Sequence, residues 1–112
     1  MPTRVRDKLL ASIEGPFGLN RTETGRLFGV SRQAIESWHM SGVPGGRQEK
    51  AAAVAAVGEL LSRRLKPERI PGIARRPAAA YGGLTMLEMI EGDRHLELLA
   101  NVRASFDWAQ TA

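Results

Sequence analysis

Apolar residues recur along this chain at the three- and four-residue spacings of amphipathic helices, and the pattern predicts an all-α fold. In residues 3–14, Val5, Leu9 and Ile13 fall at i, i+4 and i+8 with Leu10 beside them. They predict a first helix that Gly15-Pro16 ends. Phe17 and Leu19 then pack from an extended link. Asn20 or Thr22 caps the next helix, because a side-chain oxygen there satisfies N–H groups left free in the first turn. That helix runs through Arg26 to Phe28. Gly29 supplies a left-handed turn without a Cβ penalty. Val30 points inward and Ser31 caps a third helix, whose buried face carries Ala34, Ile35 and Trp38. Arg32, Gln33, Glu36 and Ser37 are left facing out.

Beyond Trp38 the pattern breaks at Met40–Arg47, a connection dense in Gly and Pro. Residues 48–65 form the strongest helix by propensity, with Val54, Val57, Leu61 and Leu65 on one face and Ala51 and Leu60 beside it. Lys66-Pro67 ends it. Three prolines and three glycines punctuate 67–83, which predicts a hinge with short helical turns at 71–76 and 77–81. Thr85 and Glu88 form a capping box that opens a short helix over 85–91, apolar around most of its girth. Gly92 closes it. Asp93 then caps a last helix over 94–107, with Leu96, Leu99, Val102 and Phe106 on one face and Leu98 near it. Trp108 sits in an otherwise polar terminus, where an aromatic residue marks a contact.

The architecture expected is a small helix-turn-helix bundle over 1–66 with a C-terminal appendage of two to three helices over 67–112. At 112 residues the core is modest, and a homodimer would enlarge it. With no cysteine, disulfides and thiolate metal sites are excluded. No apolar run approaches the ~20 residues that span a bilayer, and no signal peptide opens the chain, so no membrane association and a cytoplasmic location are expected. The net charge of +4 is unevenly spread: residues 1–76 carry 14 Lys and Arg against 7 Asp and Glu, and residues 77–112 carry 2 against 5. A basic body with an acidic tail implies two surfaces with different partners.

Catalysis finds no support. Ser31 and His39 are about two turns apart on one helix, too far for a nucleophile and its base. His39 and His95, without cysteine, make no metal site, and no cofactor is expected.

At Gly25, Gly29, Val30, Ile35 and Trp38 the stretch 20–42 resembles the helix-turn-helix of the Xre/Cro-like repressors. Gly25 stands where that family wants a small residue, usually Ala, so that two helices approach closely. The resemblance implies double-stranded DNA as partner, with the third helix in the major groove. Arg32 and Gln33 are then the base readers, since Arg bonds bidentately to guanine and Gln to adenine, and Ser37 lies one turn further on the same face. Arg21, Arg26, Arg47 and Lys50 are the cations near enough to meet phosphates.

Residues 71–105 resemble the C-terminal domain of the Xre/MbcA/ParS antitoxins, on Gly83, Thr85, Leu87, Glu88, Ile90 and Gly92. Met86 stands where that family has proline. The resemblance implies an antitoxin that blocks a RES-type toxin through this region and represses its own operon. The toxin-facing candidates are Tyr81, Gly83, Thr85, Leu87, Glu88, Ile90, Phe106 and Trp108. The alternative is a stand-alone helix-turn-helix regulator, or an interaction module with no toxin partner.

Overall fold

The computed structural model describes the backbone of residues 2–111 and the side chains of residues 8–107. Among them seven α-helices follow one another: α1 (Pro2–Phe17), α2 (Arg21–Phe28), α3 (Arg32–Ser41), α4 (Gly45–Arg64), α5 (Ile70–Ala74), α6 (Met86–Glu91) and α7 (His95–Thr111). No strand interrupts them, so the fold is all-α. Single 3-10 turns, Pro67–Arg69 and Ala79–Tyr81, link α4 to α5 and α5 to α6. The side chains of Val5 and Trp108 lie outside the described residues.

The 20-residue α4 is the strut of the fold and packs against both α1 and α7. Its Ala51, Val54, Val57 and Leu61 are buried, as its apolar periodicity predicts, and Ala53 with them, whereas Leu60 is half-buried and Leu65, also half-buried, lies just past its end. One continuous core runs from Leu10, Ile13 and Phe17 of α1, through Ile35 of α3 and Ile70 of α5, to Met89 and Ile90 of α6 and Leu98 of α7. Each such side chain stabilises the fold by about 1.5–3 kcal/mol. A Cβ on Gly58 would stand 3.2 Å from the Ser12 carbonyl oxygen and 3.3 Å from Pro16 Cγ. Glycine there lets α4 lie close against α1.

Several boundaries differ from expectation. Gly15-Pro16 does not end α1, which continues to Phe17. Pro16 has no N–H to give the Ser12 carbonyl, and the helix runs only one residue beyond it. The chain turns away at Gly18, whose φ is 64°, and Leu19 N–H donates to the Glu14 carbonyl at 3.0 Å. Phe17 is therefore helical and fully buried rather than part of an extended link. The expected loop 40–47 is also shorter. It narrows to Gly42–Pro44 because Val43 is buried and Pro44 caps α4, placing Gly45 and Gly46 in that helix's first turn.

In 67–83, Pro71 lies in the first turn of α5 but Pro77 opens no helix. Ala78 N–H instead donates to the Leu84 carbonyl at 3.1 Å and closes a loop on itself. Asp93 does not cap α7. It adopts a left-handed φ of 61° and turns its carboxylate to Lys50. Leu96, expected on the buried face of α7, is 55% exposed, and Leu98 takes its place.

Candidate nucleic-acid interface

α2, the turn and α3 are each fixed by local chemistry. Asn20 Oδ1 accepts from Glu23 N–H at 2.8 Å while Glu23 Oε1 accepts from Asn20 N–H at 3.0 Å, a closed capping box at the start of α2. The Asn20 N–H, followed by Arg75, holds the Glu23 carboxyl below its ordinary range. Gly29 ends α2 with φ 68°, and Val30 N–H donates to the Gly25 carbonyl at 2.9 Å. A Cβ on Gly25 would lie 2.5 Å from the Val30 carbonyl oxygen, so even alanine would force the turn to shift. Ser31 Oγ accepts from Ala34 N–H at 3.1 Å and starts α3.

Beneath this unit Phe28 and Trp38 meet edge to face, their ring centres 5.5 Å apart. The buried Glu14 carboxylate of α1 draws in both helices of the motif. It accepts from Arg21 Nη1 at 2.8 Å, Thr24 Oγ1 at 2.9 Å and His39 Nε2 at 2.8 Å. Because a carboxylate only accepts, His39 presents a protonated Nε2 here. Neither Glu14 nor Thr24 stands out by residue type. The signal for Glu14 is positional: it lies on the stripe of Leu10, Ile13 and Phe17, where a carboxylate needs donors.

The outward face of α3 carries Arg32, Gln33, Glu36 and Ser37, all exposed as predicted, and continues into Met40. Arg32 Nε lies 3.6 Å from Glu36 Oε1, with both side chains more than half exposed, a pair worth little energetically. The cations expected at phosphates are dispersed. Arg26 is exposed. Arg21 is drawn to Glu14, and Arg47 Nη1 donates to the Phe28 carbonyl at the end of α2.

Lys50 departs most from expectation. It is 8% exposed, and its ammonium donates to the Leu27 carbonyl at 2.6 Å and to Asp93 Oδ1 at 2.7 Å. It also lies 5.4 Å over the Phe28 ring. Lys50 therefore joins α2 and α4 to the turn before α7 and does not face solvent. The cation lowers the Asp93 carboxyl. Beside it, burial first and then Lys50 hold the His95 imidazole below its ordinary value. Buried His95 Nδ1 has no hydrogen-bond partner.

The residues expected to meet a protein partner divide into structural and accessible groups. Thr85 and Glu88 form the capping box of α6, with bonds of 3.0 and 2.8 Å. Gly83 holds a turn at φ 88°. Ile90 is fully buried and cannot be touched from outside. Its face of α6 is used for the core. Tyr81 is half-buried, which pushes its phenol up, and Leu87 is half-buried beside a cleft between α2 and α6. Glu23, Glu88 and Glu91 rim that cleft, with Leu19 and Leu27 in it. Phe106 is half-buried with the Arg64 guanidinium 5.4 Å above its ring.

No family model matches the chain, and neither a curated protein nor a solved structure matches it. Among the described residues no cluster of three or more His, Cys, Asp or Glu could hold a metal ion. No helix there is long and apolar enough to cross a membrane.

Proposed function

We propose that the protein is a DNA-binding antitoxin of the Xre/MbcA/ParS type, acting as a homodimer in the cytoplasm. α3 reads double-stranded DNA, and the region from Tyr81 to the C-terminal helix binds a RES-type toxin. One observation carries the DNA half: α3 buries Ile35 and Trp38 while leaving Arg32, Gln33 and Ser37 exposed together, on a helix held to α2 by a glycine turn. A helix so held can enter a major groove about 12 Å wide and offer base-reading groups along its outward stripe, its N-terminal residues foremost. Arg26 contributes phosphate attraction, and Arg32 shares its charge between Glu36 and the groove. The toxin half is supported by the resemblance at Gly83–Gly92 and by the accessible Tyr81, Leu87 and Phe106.

Gel shifts with the DNA upstream of the gene test the first half. Retardation at low salt should weaken as salt rises and fall at least tenfold in Arg32→Ala/Gln33→Ala. Unchanged affinity in that double variant would remove direct readout. Co-purification with the product of the adjacent gene tests the second half. Its absence leaves a stand-alone regulator.

A further inference from the structure

Met40 is 79% exposed, a large apolar side chain on a helix whose other exposed positions are polar. It lies seven residues after Gln33 and three after Ser37, so the three form one stripe along α3. The inward stripe of the same helix is complete without it, since Ile35 and Trp38 are buried. Met40 therefore contributes little to the core. An apolar group on a groove-facing stripe has one strong counterpart in the DNA major groove, the C5 methyl of thymine. Methionine suits it, being unbranched, polarisable and able to adjust its three rotatable bonds to a methyl of uncertain depth.

We propose that Met40 is a specificity residue that reads a thymine methyl group. The inference rests on the DNA-reading proposal and adds a chemical preference that the polar residues of α3 do not supply. Seven residues of helix span about 10 Å, or about three base steps along a strand. The thymine then lies about three positions from the base pair that Gln33 contacts.

The test uses the full chain and duplexes recovered by selection from a random pool. Each thymine of the selected site is replaced in turn by uracil, which lacks only the methyl. At one position per half-site, uracil should weaken binding of the unaltered protein about three- to tenfold, the scale of one lost methyl contact. Met40→Ala should bind thymine and uracil at that position alike, and Met40→Leu should restore part of the difference. Circular dichroism should be unchanged in both variants. If no uracil substitution matters, or if Met40→Ala keeps the same uracil sensitivity, the Met40 proposal is overturned while DNA reading stands. If selection recovers no duplex, DNA reading fails and this inference fails with it.

Discussion

His39 Nε2 lies 2.8 Å from Glu14 Oε1, and that contact ties the third helix to the first. Arg21 and Thr24 donate to the same carboxylate, so three donors from two helices converge on one side chain that is 9% exposed. Glu14→Ala should destabilise the protein by about 2–3 kcal/mol, because buried donors lose their acceptor and Arg21 is only partly able to reach water. Urea unfolding checks this. A loss below about 0.5 kcal/mol would show that the cluster contributes no net stability.

Gly25 and Gly29 should fail for different reasons. Gly25→Ala places a methyl against the Val30 carbonyl oxygen and should cost about 1–3 kcal/mol through overpacking. Gly29→Ala meets open space but must adopt φ 68°, at about 1–2 kcal/mol. Gly29→Asn should recover part of the second loss, since asparagine tolerates left-handed geometry, whereas Gly25→Asn should be worse than Gly25→Ala. Thermal melts of the four variants rank them.

The pH dependence of stability should carry the signature of His95. Its folded pKa lies below the ordinary 6.5, so the unfolded chain takes up a proton first on acidification. The corresponding stability is complete above pH 6.5 and declines as pH falls from there towards the folded value. Asp93 and Glu23, both lowered, add losses only further into acid, below their ordinary 3.8 and 4.5. Urea midpoints at pH 8, 6 and 5 should fall in that order, and His95→Gln should flatten the step between 8 and 5. An unchanged step would assign it elsewhere.

Lys50→Met should report on the same corner. Removing the ammonium leaves the Leu27 carbonyl short of a donor, at about 1–3 kcal/mol. It also removes a nearby positive charge, so the His95 titration should move up towards its ordinary value and that of Asp93 should rise. Proton NMR of the His95 ring follows the first shift directly. A His95 titration that stays in place would show the cation to be screened from it.

The helices were legible because Val54, Val57 and Leu61, or Ile35 and Trp38, repeat at a spacing that only a helix brings to one side. Caps at Asn20, Ser31 and Thr85 were legible for the same local reason: each partner is three residues away. Contacts between distant residues were not. Lys50 looked like a surface cation because nothing near it in sequence announces Asp93, 43 residues on. Glu14 and His39 are 25 apart. Leu96 and Leu98 share similar helical patterns, and the neighbouring helix decides which is covered. On the outward face of α3, Arg32, Gln33 and Ser37 follow from the sequence once the buried residues are excluded, whereas Met40 opens a stretch whose Gly and Pro density reads as a loop.

The packing of α7 along α4 also has a consequence in time. Chains emerge from the ribosome in order at about 5–20 residues per second, so α3 leaves several seconds before α7. During that interval the face of α4 that will meet Leu98, Leu99 and Val102 has no cover. The outward-facing α3 is thus made early and braced late. A nascent chain halted between the two would expose apolar surface to chaperones and proteases before its first helices were braced.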